Sequence, residues 1–150
     1  MLERLKFADI KVTARDTRWR TGNRALDFAR ANESYRLAAD AVHGILFPVG
    51  EAWLTAQAID RTIPLYAFDG LHPSIEGSYL AALVMYATLY GRSPEGMPPK
   101  LRLRDGAAFA VAPAVAAVLQ TAAARATAAM RAQRSVPNVG ALQKPGAPRA

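Results

Sequence analysis

The run Ile45-Leu46-Phe47-Pro48-Val49 is the stretch that decides the predicted fold, because it is apolar at every position and follows Gly44. An unbroken apolar run of this length is typical of a strand buried on both faces, as in a parallel sheet. Pro48 cannot donate a ladder hydrogen bond, which places it near the end of that strand or at a sheet edge. The run therefore predicts an α/β fold.

Helical patterns lie on both sides of this run. Apolar residues recur at three- and four-residue steps over about residues 25–42 and predict an amphipathic helix, which Gly44 ends in the left-handed conformation. A short helix is predicted from Glu51 to about Asp60. Residues 74–90 have almost no polar face and predict a core helix, and an alanine-rich helix follows over about residues 113–134.

Two further extended pieces, residues 10–14 and residues 64–66, are short. Since a sheet domain normally has about four to six strands, the pattern resembles the second half of an α/β domain. Residues 135–150 contain three prolines, two glycines and no apolar periodicity. We therefore expect one domain portion over residues 1–134 and a disordered tail over residues 135–150.

The net charge of +7 is unevenly distributed along the chain. Residues 1–36 carry a net charge of +4, residues 37–99 carry −4 and residues 100–150 carry +7. Basic arms of this kind suit an anionic partner. They contain few aromatic residues and no recognisable nucleic-acid motif, so we expect solvated arginines and no nucleic-acid partner.

Composition excludes several classes of protein and site. The absence of cysteine excludes a disulfide scaffold and a cysteine nucleophile, and two histidines exclude an all-histidine metal site. The uncharged run over residues 77–91 has 15 residues, which is short of the roughly 20 that span a bilayer. The first twenty residues carry nine charges and predict no signal peptide. The compartment stays unassigned, since a start inside a longer protein would allow a secreted or periplasmic location.

Residues 69–79, Asp-Gly-Leu-His-Pro-Ser-Ile-Glu-Gly-Ser-Tyr, hold the motif that carries chemistry. The three-residue step from Asp69 to His72, with Gly70 between them, lets the carboxylate fold back onto the imidazole. Asp69 would accept a hydrogen bond from one ring nitrogen, which leaves the other nitrogen to take a proton from a nucleophile. We expect this loop at the carboxyl edge of the strand that contains Phe47.

Two alternatives remain open for this segment. The first is a capped loop that carries a surface histidine and has no catalytic role. The second is a metal site built from His43, Asp69, His72 and Glu76, but no metal-ligand spacing supports it. We expect neither a metal nor a cofactor.

The block resembles the last sequence block of the SGNH (GDSL-type) serine hydrolases, which is Asp-x-x-His-Pro. These proteins are esterases and lipases with a three-layer, flavodoxin-like α/β/α fold. Residues 47–53 resemble the strand and helix start that precede the block, and residues 77–82 and 86–94 resemble the helix and exit that follow it. The resemblance implies that Asp69 and His72 are triad partners. It also implies a small-molecule ester substrate, such as an acylated sugar or a lipid.

The chain departs from the family at the nucleophile. The Gly-Asp-Ser block is absent, as are the separate glycine and asparagine blocks of the oxyanion hole. We therefore interpret the chain as the carboxyl-terminal portion of an SGNH hydrolase and expect it to be inactive alone. The nucleophilic serine would be encoded before Met1 or in an adjacent gene. The alternative is a non-catalytic relic or interaction module whose basic arms bind an anionic partner. The sequence does not indicate an oligomeric state.

Overall fold

The computed structural model describes residues 24–102, 104 and 106–135. The chain separates after Gly44 into two units. The predicted strand over residues 10–14 and almost all of the predicted tail lie outside the described residues. The elements in chain order are α1 (Arg24–Ala41), α2 (Val49–Ile59), α3 (Ile75–Tyr90), β1 (Lys100–Arg102), β2 (Ala108–Ala110) and α4 (Pro113–Ser135).

The end of α1 is a Schellman motif. The N–H of His43 donates to the carbonyl of Asp40 at 3.3 Å, and the N–H of Gly44 donates to the carbonyl of Ala39 at 2.7 Å. His43 has φ of 52° and is the residue in the left-handed conformation, so the prediction that Gly44 takes this conformation is wrong by one residue. The reason is that α1 ends one residue earlier than its apolar pattern.

The predicted strand over residues 45–49 is wrong. Residues 44–48 have no regular secondary structure, and α2 begins at Val49. The carbonyl of Pro48 accepts the N–H of Ala52 at 3.1 Å, which is the first bond of α2. A proline suits a helix entry, because its missing N–H would have no partner there and its φ, here −78°, is already restricted. Pro48 is buried, so the run serves as an entry into α2.

Helices α2, α3 and α4 pack together in the second unit, and α4 contacts both of the others. Many of the buried residues are alanines, which let the helix axes approach closely. Larger aliphatic side chains of α3 and α4 fill the space between them. The fully or almost fully buried residues of these helices include Ala52, Ala56, Leu80, Leu83, Val84, Ala87, Leu119, Ala122 and Ala123.

A buried hydrogen-bond network joins α4, α3 and the loop between α3 and β1. The amide nitrogen of Gln120 donates to the hydroxyl of Tyr79 at 2.9 Å and to the carbonyl of Met97 at 2.8 Å. The amide oxygen of Gln120 accepts the N–H of Gly96 at 2.9 Å. All polar atoms of this buried side chain are therefore engaged, which fixes the loop against both helices.

The only sheet within the described residues is an antiparallel pair, β1 and β2, which the sequence analysis does not predict. Leu101 pairs with Phe109, and the Phe109 ring packs edge-on against Tyr79 with 6.3 Å between ring centroids. The described residues thus form a mainly helical structure with one small sheet. This is compatible with the general α/β class.

The prediction of a core helix over residues 74–90 is right for one face of α3 and wrong for the opposite face. Leu80, Val84 and Ala87 lie on the buried face. On the other face, Ile75 is 51% exposed, and Met85 and Leu89 are also exposed. Despite this apolar composition, no helix in the described part of the chain is long and apolar enough to cross a membrane.

Candidate active site

A short loop, residues 67–72, carries the two candidate catalytic residues. An antiparallel bridge between Tyr66 and Pro73 closes the base of the loop. The N–H of Ala67 donates to the carbonyl of His72 at 2.8 Å, and the N–H of Gly70 donates back to the carbonyl of Ala67 at 3.0 Å. Gly70 has φ of 67°, a left-handed conformation that glycine adopts without strain. The loop is therefore a tight reversal of the chain.

The loop is anchored to the start of α3 by Ser74. The hydroxyl of Ser74 accepts the N–H of Gly77 at 3.0 Å and donates to the carbonyl of Pro64. Its N–H donates to the carbonyl of Leu65 at 3.0 Å. Ser74 thus caps the helix and also fixes the chain segment that leads into the loop.

Close packing beneath the loop requires a glycine at position 77. A Cβ atom at this position would overlap the carbonyl oxygen of Leu65 and the ring of Trp53. The Trp53 ring in turn packs edge-on against Tyr66 with 5.5 Å between centroids. Helix α2 therefore supports the strand-like segment from which the loop emerges.

Asp69 and His72 form the hydrogen bond that their spacing predicts. Oδ2 of Asp69 lies 2.6 Å from Nδ1 of His72. Oδ1 of Asp69 accepts the N–H groups of Leu71 at 2.9 Å and of His72 at 3.0 Å. These three bonds, of which the one from the His72 ring has the largest effect, lower the pKa of Asp69 from 3.8 to about 2.

The geometry assigns a tautomer to His72 when its ring is neutral. Because the ionised carboxylate of Asp69 can only accept, Nδ1 carries the proton and Nε2 presents a lone pair. No other described group is hydrogen-bonded to the ring, and the side chain of His72 is 73% exposed. The arrangement can hold and transfer a proton at Nε2.

The surroundings of the pair are open and apolar. The side chains of Phe68 and Leu71, on either side of Asp69 in the loop, are exposed. The sequence analysis places the pair at the carboxyl edge of a strand through Phe47. This placement is wrong, since residues 44–48 form no strand.

No serine is hydrogen-bonded to His72 among the described residues. The hydroxyl of Ser34 donates to the carbonyl of Arg30, and that of Ser93 lies near Glu95. Ser74 is engaged in its cap. The described residues also contain no group of three or more His, Asp or Glu residues that could hold a metal ion.

The helix start near Ser74 is predicted from the sequence, but the role of Ser74 in anchoring the loop and the packing of Gly77 on Trp53 are not. Ser74 directly before a helical pattern is a recognisable N-cap signal, and an Asp-Gly pair predicts the turn in which Asp69 accepts backbone N–H groups. The contact between Gly77 and Trp53 has no local signal, because the two residues are far apart in the sequence.

No protein-family model matches the chain, and comparisons with curated proteins and with solved structures find no match.

Proposed function

We propose that this chain supplies the Asp–His half of an SGNH-type serine hydrolase that acts on ester bonds. The observation that carries the proposal is the 2.6 Å contact between Asp69 Oδ2 and His72 Nδ1, combined with an exposed imidazole. An ionised carboxylate on one ring nitrogen and an unengaged second nitrogen are what a general base next to a serine requires.

The proposed reaction is acyl transfer through His72. Nε2 takes the proton from a serine hydroxyl as the serine oxygen bonds to the ester carbonyl carbon. The imidazolium, stabilised by Asp69, then donates that proton to the departing alcohol. In the second half of the reaction, Nε2 takes a proton from water as the water oxygen bonds to the acyl carbon. The imidazolium then donates that proton to the departing serine oxygen, which releases the acid and restores the serine.

The serine and the oxyanion donors would come from a polypeptide segment outside these 150 residues. Two observations support this. The face of α3 formed by Ile75, Met85 and Leu89 is apolar and exposed, as expected of a surface that another part of a domain covers. It also begins three residues after His72, so a segment bound there would lie beside the imidazole. The same segment would have to supply the sheet of the three-layer fold that the resemblance implies, because residues 44–48 form no strand.

The proposed substrate is a small-molecule ester with an apolar part, such as a lipid or an acylated sugar. Phe68 and Leu71 support an apolar part, because they place two large exposed side chains on the loop that holds His72. A charged substrate would gain nothing from such neighbours.

The test begins with the DNA on both sides of this coding sequence. A segment that carries Gly-Asp-Ser is joined to the chain or co-expressed with it, and hydrolysis of p-nitrophenyl butyrate and labelling by a fluorophosphonate are measured. His72→Asn should lower the rate by about 10⁴–10⁶-fold, as loss of a triad member does elsewhere. His43→Asn is the matched control, because asparagine tolerates the left-handed backbone of that position.

The proposal is wrong if the assembled protein hydrolyses the ester equally well with His72→Asn. It is also wrong if no neighbouring coding sequence carries a Gly-Asp-Ser segment and the chain alone forms a stable monomer. Equal loss with both histidine variants would point to damage to the fold, which circular dichroism would show.

A further inference from the structure

In the hairpin of β1 and β2, strand β1 has backbone groups that point away from β2. The N–H of Val111 donates to the carbonyl of Pro99 at 2.8 Å, so these two residues form a hydrogen-bonded pair. Because such pairs alternate along an antiparallel ladder, Lys100 opposite Ala110 and Arg102 opposite Ala108 are non-hydrogen-bonded pairs. The N–H and C=O groups of Lys100 and Arg102 therefore point outward along the edge of β1.

The two cationic side chains of β1 share one face of the hairpin. Lys100 and Arg102 are two residues apart, and each lies opposite an alanine, which leaves a trough beside them. A depression of about 380 Å³ is lined by all six residues of the two strands, Leu101 and Phe109 included. The strands carry two basic residues and no acidic one. The hairpin thus combines an open edge, a trough and a positive charge.

We propose that the outer edge of β1 binds an extended acidic polypeptide as a third strand. Pairing along this edge would place alternate side chains of the incoming segment on the same face as Lys100 and Arg102. Cross-strand neighbours lie about 5 Å apart, where opposite charges attract. The preferred segment therefore has Asp or Glu at every second position. This interaction is independent of the proposed hydrolase function.

Other anionic partners fit the hairpin less well. Single-stranded nucleic acid is bound by aromatic side chains on which bases stack, and the one aromatic ring of the hairpin, Phe109, already packs against Tyr79. A lipid surface requires apolar side chains that can enter it. On the face that carries the cations, the strands provide only Ala108 and Ala110.

Charged residues on edge strands also occur simply to prevent aggregation. The experiment must separate that role from binding. The probe is the peptide Thr-Glu-Val-Glu-Val-Glu-Thr, and its control is a peptide of the same composition with the three Glu residues adjacent. Binding is measured by NMR titration of the ¹⁵N-labelled full chain at low and moderate salt. We expect the alternating peptide to bind at least tenfold more tightly than the control peptide.

Amide hydrogen exchange gives a readout that charge attraction alone would not produce. On binding, the amides of Lys100 and Arg102 should become protected, because they acquire partners on the added strand. The amide of Leu101 points toward β2 and should change little. Uniform protection of all three residues, or of none, contradicts strand addition.

The variant is Lys100→Glu combined with Arg102→Glu, and the matched control is Arg61→Glu combined with Arg92→Glu, which changes two exposed arginines elsewhere. The first pair should abolish binding of the acidic peptide and create binding of a peptide with Lys in place of Glu. The control pair should keep the original preference. Thermal unfolding followed by circular dichroism checks that both variants fold.

Two outcomes overturn the proposal. If neither peptide binds at millimolar concentration, the charges only protect the edge. If heparin or phosphatidylserine vesicles bind through Lys100 and Arg102 while the alternating peptide does not, the surface recognises a different class of anion.

Discussion

The orientation and tautomer of His72 depend on the negative charge of the Asp69 carboxylate. Its pKa lies at about 2 instead of 3.8, first because of the hydrogen bond from His72 and then because of two backbone N–H groups. We expect His72→Asn to raise the pKa of Asp69 toward its ordinary value, measured by carboxyl ¹³C NMR during an acid titration. The backbone bonds remain, so the return should be partial. An unchanged titration would mean that the side chains do not interact in solution.

The same shift fixes the sign of a pH effect on folding. Because the pKa of Asp69 is lower in the folded chain than in the unfolded chain, its stabilising contribution is complete above about pH 4. It is lost as the pH falls through about 2. The effect is small, since both side chains are accessible to water.

Without a serine, His72 should provide no enzymatic turnover. We expect the 150-residue chain to hydrolyse p-nitrophenyl acetate at nearly the same rate as its His72→Ala variant. Any difference between the two should not exceed the rate of an equal concentration of free imidazole. Each missing oxyanion donor typically costs about 10²–10³ in rate. Turnover well above that of imidazole, lost in the variant, would reveal a nucleophile within this chain.

Gly77 is the position at which a single methyl group should disturb the site most. Gly77→Ala should destabilise the chain by about 1–3 kcal/mol, because the added Cβ meets a backbone oxygen and an indole ring that have no room to move. Urea unfolding measures this. The control is Gly91→Ala, which has open space but a φ of 67° and should cost about 1–2 kcal/mol through the backbone alone. If Gly77→Ala does not change the free energy of unfolding, α3 and Trp53 are packed loosely enough in solution to accept a methyl group between them.

At the scale of elements, predictions based on local signals succeed and those that need distant partners fail. The start of α3 and its end at Gly91 follow from Ser74 and a left-handed glycine, both of which act within one turn. The hydrogen bond between Asp69 and His72 is equally local. The apolar run at residues 45–49 carries no such signal, since it suits a buried strand or a buried helix entry equally well.

The two strands were not predictable, because Lys-Leu-Arg and Ala-Phe-Ala are too short to show a period. What holds them is the contact of Phe109 with Tyr79, a residue about thirty positions away. The network around Gln120 is likewise formed by partners that no local pattern connects. Spatial neighbours that are distant in sequence decide these elements.

Gln120 is the side chain through which α4 holds the loop before β1. Gln120→Ala should cost about 2–3 kcal/mol, because the N–H of Gly96 and other buried polar groups lose their partner. Gln133→Ala, at an exposed position of the same helix, is the control and should change the free energy of unfolding by less than about 0.5 kcal/mol. Similar small effects at both positions would show that water replaces the network.

For the whole molecule, the exposed face of α3 is the surface on which the proposed second segment would bind. Ile75, Ala82, Met85 and Leu89 recur at helical steps and lie on the side opposite the packed core. Ser78, the other residue of this face, is uncharged. A helix that is apolar all round is normally buried on all sides. The side facing away from α2 and α4 is uncovered among the described residues, which supports the proposed docking of a further segment on it.

Charged residues on this face provide the test. Met85→Glu combined with Leu89→Glu should change the stability of the 150-residue chain by no more than about 0.5 kcal/mol, because both side chains are already exposed. The same variant should abolish its assembly with a segment that carries the serine, and with it the His72-dependent ester hydrolysis. Leu83→Ala, on the buried face, should instead cost about 2–5 kcal/mol in the chain alone.

The two readouts separate a docking face from a merely exposed one. If the glutamates leave assembly and hydrolysis intact, the segment that carries the serine binds elsewhere. The exposed face of α3 then does not position the serine beside Asp69 and His72. If they destabilise the chain itself by several kcal/mol, the face is already covered within these 150 residues. Only an unchanged chain that no longer assembles is consistent with α3 as the surface that brings a serine to His72.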